Sequence, residues 1–259
     1  MNYFDFFLYS TIQGITEFFP VSSSAHLLFA EKLFGWESTG IYYALAAHVG
    51  SLFAILFFFI KDSNLFREKF INYFAYSDYL IILILSIFPI IFFGMIISIF
   101  LKLNYTNSIL IIGLASIVGA FLLELSDRKE EVKKISSLTF RNAVFIGFFH
   151  CLALVPGMSR SGCVITASRF LCLSRKESIL YAVITGFPVL FLASLYGIYK
   201  AIILETLNLN IFLTISLFSF LTTVISIRFL LRWTKYFSFR VFVIYRLFMG
   251  LALLSFVIY

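Results

Sequence analysis

Charge is scarce in this sequence. Asp, Glu, Lys and Arg together make up 13% of 259 residues, whereas 61% are hydrophobic. A soluble all-helical protein of this length needs charged outer faces on its helices, and several runs here have none, which excludes that class. Cysteine is also rare: Cys151, Cys163 and Cys172 form no CxxC pair. They imply neither a disulfide framework nor a metal site and read as small apolar packing residues. The net charge of +7 resides on Lys and Arg in short loops between apolar runs, which argues against a nucleic-acid partner. The N-terminal stretch carries Asp5 and no basic region, so no cleavable signal peptide is expected.

What is present is a series of apolar runs of bilayer-crossing length, at 43–60, 80–100, 108–125, 179–199, 210–231 and 241–259. The expected fold is an all-α polytopic membrane protein with six transmembrane helices. Residues 3–34 and 140–173 are each too short for two crossings, and each is interrupted, the first at Pro20 with Ser22–Ser24, the second at Pro156-Gly157. Both are expected to be re-entrant helical hairpins, because broken backbone at membrane depth is tolerated only where protein or a cavity surrounds it. The layout is then a hairpin plus three spans, given twice in one membrane domain, 1–259, with halves about 1–126 and 140–259 and a solvated cytoplasmic loop at 127–139. Three crossings per half put the hairpins on opposite sides, which is an inverted repeat. Fourteen of the twenty Lys and Arg residues fall in loops 61–78, 126–141, 174–178 and 228–240, against Lys32, Lys102 and Lys200 on the other side. The richer side is expected to be the cytoplasm.

The polar groups of the two breaks are costly at that depth unless they face one another, water or a substrate. Gln13 and Glu17 lie four residues apart on one helix face. Ser22, Ser23 and Ser24 follow, and His26 is about one turn into the next helix. The second break offers Ser159, Arg160 and Ser161. A helix starting after a break aims its N–H groups and positive dipole end at whatever lies in front, which is an anion site. The serines read as N-caps or phosphate donors, and Arg160 as a bidentate phosphate clamp. A phosphoryl-transfer centre results, with Ser23 or His26 as nucleophile and Glu17, beside Gln13, as base or as holder of a divalent cation. His48 and His150 read as structural imidazoles. Arg169, near a hairpin end, is expected to snorkel, and Arg246 to pair with a buried acceptor such as a helix-end carbonyl.

QGITEFFPVSSSAH (Gln13–His26) resembles the first signature of the undecaprenyl-diphosphatase, or bacitracin-resistance, family, and CLALVPGMSRSG (Cys151–Gly162) its second. TFRNAVFIG and the Tyr245-Arg246 pair extend the resemblance over nearly the whole chain. It implies a multi-pass enzyme of the bacterial plasma (inner) membrane that hydrolyses undecaprenyl diphosphate on the outer side. That reaction recycles the lipid carrier for peptidoglycan and removes the target of bacitracin. The resemblance also implies a divalent cation, Mg or Ca, a prenyl diphosphate and membrane lipids as partners, and functional roles for Gln13, Glu17, Ser23, His26, Ser159 and Arg160. Whether the chain forms a homodimer is left open. Val164 stands where the family has threonine, with Thr166 two residues on as a substitute hydroxyl, and Ala25 stands where it has glycine. The rival reading is a transporter or lipid flippase, since inverted repeats with midplane breaks also build those.

Overall fold

The chain opens with two short helices, α1 (Tyr3–Thr16) and α2 (Ser23–Phe34), then α3 (Gly40–Lys61), α4 (Asn64–Ala75), α5 (Ser77–Ile96) and α6 (Ile109–Asp127). A second short pair follows: α7 (Phe140–His150), extended by a 3-10 turn over Cys151–Leu154, and α8 (Arg160–Phe170). Three long helices finish the chain, α9 (Arg175–Ile203), α10 (Leu209–Trp233) and α11 (Arg240–Ile258). This computed structural model describes residues 3–36, 40–61, 64–97, 109–203 and 208–258. Lys102 and the expected span ends at 98–108 lie outside the described residues.

Among the described residues, six helices are long and apolar enough to cross a membrane: α3, α5, α6, α9, α10 and α11. α3 and α9 are the inner ones, with 61% of their apolar windows buried against 22% for α5. The outer helices present rows of Phe, Leu and Ile, such as Phe88, Phe92, Leu217 and Phe248, as a lipid-compatible surface. α1, α2, α7 and α8, at 14, 12, 11 and 11 residues, cannot cross alone. α1 packs on α10, α7 on α5, α8 on α9 and α6, and α6 on α11.

Two expectations needed correction. The loop 61–78 contains α4, whose Tyr73 is buried and donates to Ile135 O at 3.2 Å. The stretch 128–134 is exposed throughout, as expected of a solvated loop, and is also anchored at its ends. Asp127 accepts from Arg175 Nε at 2.7 Å and from the Phe239 backbone N–H at 2.9 Å, and Lys133 N–H donates to Cys172 O at 2.9 Å. Arg169 does not snorkel. It is fully buried, pairs with Asp127 at 3.6 Å and donates to the carbonyls of Asp127, Lys129, Glu130 and Leu173. Carbonyls at the C-terminal end of α6 and just beyond it, together with Leu173 O after α8, satisfy the guanidinium better than a route to water.

Candidate active site

Both short pairs break in the same way. Ser22 and Ser159 each stand one residue before the second helix with φ of 74° and 68°, a left-handed conformation rare outside glycine. Ser159 is an N-cap as expected, its Oγ accepting from Gly162 N–H at 3.1 Å. Ser22 occupies the equivalent place without capping; its Oγ lies 3.0 Å from Ser24 Oγ. The breaks touch. Gly157 N–H donates to Ser24 Oγ at 3.1 Å, and Ser161 Oγ donates to Glu17 O at 3.1 Å and Phe19 O at 3.2 Å.

Glu17 and Arg160 meet across this contact. Arg160 Nη2 reaches Glu17 Oε1 at 3.1 Å, while Nη1 donates to Ala182 O at 3.4 Å and the guanidinium lies over the Phe18 ring. Its flat head rests on Gly186 of α9, where any Cβ would collide with it. Glu17 Oε2 turns the other way, accepting from Gln13 Nε2 at 2.6 Å with His48 Nδ1 at 3.6 Å. Glu17 is thus nearly buried yet satisfied at both oxygens.

In front of this pair is a cavity of about 240 Å³, close to the small end of ligand pockets and suited to a compact headgroup. Thr16, Glu17, Ser22, Ser23, Ser24, His48, Ser159 and Arg160 line it, with apolar walls from Ile90, Val155, Val189 and Leu190. Of the expected residues, Gln13 stands behind Glu17, and Ser161 is fully buried, joining the breaks. His26 is not on this wall. It stacks on Tyr245, with Nε2 2.6 Å from the Tyr245 hydroxyl and Nδ1 2.7 Å from Ser22 O. The pair borders a second, apolar groove of about 360 Å³ with Ile12, Ile15, Phe19, Val21, Val241 and Phe242; Thr16 belongs to both spaces.

His48 is the residue that the sequence undervalued. Its signal was an imidazole inside an apolar span, but only the packing of α3 against α1 turns it to the cavity. His150 is fully buried on Ser86 O at 3.2 Å, as expected of a structural imidazole. Arg246 has carbonyl partners, also as expected, and they belong to both breaks: Pro20 O at 3.2 Å, and Gly157 O and Met158 O at 3.1 Å. Val164 is buried among apolar side chains, and Thr166 borders a small void beside Gly119 and Arg246. Neither faces the cavity, so the missing threonine hydroxyl removes nothing from its wall.

The model for bacitracin resistance protein BacA matches residues 6–252. The chain belongs to the BacA family. It is 34% identical over 255 residues to an undecaprenyl-diphosphatase of Pelagibacter ubique, covering 97% of this chain and 96% of that protein. Undecaprenyl-diphosphatases of Chlorobaculum parvum and Aliivibrio salmonicida are 33% and 31% identical, each over 98% of this chain and 96% and 98% of theirs. In this BacA chain the paired breaks, the Glu17–Arg160 contact and the headgroup-sized cavity all fall within the matched residues.

The donor set bears on a divalent cation. Glu17 and Arg160 cancel in charge, and Arg160 is the one permanent cation on the cavity wall among the described residues. A diphosphate entering there needs further positive charge. Glu17 and Gln13 offer too few oxygens for a protein-only cage, but magnesium is commonly held by one or two carboxylates together with substrate phosphates and water. The residues therefore fit a cation shared with the diphosphate.

Proposed function

We propose that this chain hydrolyses undecaprenyl diphosphate to undecaprenyl phosphate and inorganic phosphate at the cavity between the two breaks. It thereby recycles the lipid carrier of wall synthesis in a bacterial plasma membrane and, as its family's name implies, confers bacitracin resistance. The observation that carries the reading is the Glu17–Arg160 pair at 3.1 Å, which joins residues 143 apart in the chain, one just past the end of α1 and one opening α8, beside a cavity that the start of α2 also lines. Such a pair at membrane depth, facing a cavity lined with serines, suits an anionic headgroup better than any structural task.

Arg160, with the N-termini of α2 and α8, takes the charge that develops on the transferring phosphoryl group. Ser23 lines the cavity and His26 does not, which favours Ser23 as nucleophile. Its Oγ attacks the terminal phosphorus, the bridging P–O bond breaks, and the lipid monophosphate leaves. The serine proton passes to water in the cavity, and water then frees inorganic phosphate. Ser22, Ser24 and Ser159 offer hydroxyls to the phosphate oxygens, while Ser161 and Gln13 hold the wall. A divalent cation held by Glu17 and Gln13 would neutralise the diphosphate. The apolar groove reached past Thr16 suits the first isoprene units.

Two observations support hairpins in an inverted repeat. The left-handed serines occur at matching places, and pairing α1 with α7, α2 with α8, α3 with α9, α5 with α10 and α6 with α11 exchanges the contact α1–α10 with α7–α5. His48 lies thirteen residues from Lys61, and Ile90 thirteen from Ser77. At 1.5 Å per residue both are roughly 20 Å from the ends that carry the basic loops. That distance supports a site in the outer half of the bilayer.

The test is phosphate release from undecaprenyl diphosphate by purified protein in detergent. Arg160→Ala and Glu17→Ala should each lower it by at least about a hundredfold. Ordinary turnover by both variants overturns the assignment, and lipid movement across vesicles without phosphate release would point to a transporter.

A further inference from the structure

Glu17 Oε2, the Gln13 amide and His48 Nδ1 form a small triangle at the edge of the cavity. Its sides are 2.6 Å from Gln13 Nε2 to Glu17 Oε2, 3.4 Å from Gln13 Nε2 to His48 Nδ1, and 3.6 Å from His48 Nδ1 to Glu17 Oε2. Three ligands on one face of a metal ion, with bonds of about 2.1 Å, stand roughly 3.0 Å apart in an octahedral site and 3.4 Å in a tetrahedral one. Turning the Gln13 amide about its last torsion presents Oε1 to the same point that Nε2 now faces. From this triangle we infer that His48 is a third protein ligand of the divalent cation, making a nitrogen-containing site of Gln13, Glu17 and His48.

Three features fit this inference, which rests on the diphosphatase reading. Glu17 divides its work, with Oε1 committed to Arg160 and Oε2 turned to His48 and Gln13. His48 is 28% exposed at its side chain and lines the cavity, so its ring borders the space a headgroup and its cation would occupy. Gln13 lies in α1 and His48 in α3, which pack together, and Glu17 is the residue just past α1, its N–H still bonded to Gln13 O at 2.9 Å, so the last turn of α1 holds Gln13 and Glu17 on one face. The ligand chemistry changes with the third member. Carboxylate, carbonyl and water ligands suit magnesium, calcium and manganese alike, and imidazole suits zinc, iron and nickel best. A nitrogen ligand is foreign to the all-oxygen shell of calcium, and a first-row ion such as manganese takes it more readily. This chain should therefore bind Mn²⁺ more tightly than Ca²⁺, with His48 setting the difference.

The experiment uses the full-length chain in detergent micelles with Mn²⁺ as probe and no lipid substrate, read by pulsed EPR. The expected result is a nitrogen coupling from a directly bound imidazole that changes to the ¹⁵N pattern when the unmutated chain carries ¹⁵N-histidine. The coupling should vanish in His48→Gln, with Mn²⁺ affinity falling about tenfold or more and the preference over Ca²⁺ narrowing. Bound Mn²⁺ without imidazole coupling in the unmutated chain, or coupling that survives His48→Gln, overturns the inference. The labelled unmutated chain keeps the test decisive should His48→Gln fold poorly. Phosphate release by the same preparation, and its loss in Arg160→Ala, judges the diphosphatase reading separately.

Discussion

Ser23 and His26 are three residues apart, yet they face different spaces, the headgroup cavity and the groove beside Tyr245. Ser23→Ala should therefore cost turnover by at least about a hundredfold with little change in KM, because its hydroxyl acts on the reacting phosphorus. Tyr245→Phe removes the 2.6 Å contact to His26 and should raise KM for the long prenyl substrate while leaving a short-chain diphosphate unaffected. Steady-state kinetics on the two substrates separates these outcomes. Gly186→Leu offers a third check at this scale. A side chain there displaces the Arg160 guanidinium from its seat, so phosphate release should fall as far as in Arg160→Ala while the protein remains folded by circular dichroism. The polar letters were legible because each is expensive at membrane depth. Which way His26 and His48 turn was not, since that depends on how neighbouring helices are rotated and packed.

Among the elements, α11 acts on both breaks through Arg246, whose guanidinium fills the space left open at Gly119 of α6 and binds three carbonyls. Arg246→Met takes the guanidinium from all three, leaving Met158 O with only the weak Cys163 thiol at 3.8 Å, at about 1–3 kcal/mol for each one left unpaired that water cannot reach. Thermal unfolding in detergent should fall sharply and turnover should be lost with it, whereas Arg246→Lys should recover part of both. α4 is tied to the 135–137 turn through Tyr73, whose phenol is pushed up by burial, and further by the neighbouring Tyr181, Tyr79 and Glu177. A raised pKa means the contribution is intact below the ordinary phenol range and is lost as pH climbs above about 10. The alkaline loss of Tm should be shallower in Tyr73→Phe. The six helices of crossing length were readable from apolar runs alone. The helix at 64–75 and the anchoring of the 127–134 stretch were not. The first has apolar residues at helical spacing, Leu65, Phe66, Phe70, Tyr73 and Phe74, but is too short to cross and lies among charged residues. The second rests on bonds from Arg175 and Phe239 to Asp127, more than 40 residues away in the chain.

For the whole molecule, the proposed orientation puts the basic loops and the cavity mouth on opposite faces. Single cysteines at Ser24 and Lys133, in a background with the three native cysteines replaced by alanine, should report this in oriented vesicles. A membrane-impermeant thiol reagent added outside should modify Ser24→Cys, and one confined inside should modify Lys133→Cys; the reverse pattern sinks the proposed orientation. The two breaks could be read from the chain because each announces itself with proline and serine in a setting of hydrocarbon. The contact between the breaks could not, since it joins segments more than 130 residues apart. One consequence concerns biogenesis. Arg246 follows Pro20 by 226 residues and Gly157 by 89, so the guanidinium that closes both loops is synthesised after either of them. Until α11 inserts, Pro20, Gly157 and Met158 lack this clasp, and a nascent chain cannot cleave lipid before α11 is in place. The onset of activity on the membrane should coincide with insertion of α11 rather than with insertion of either signature.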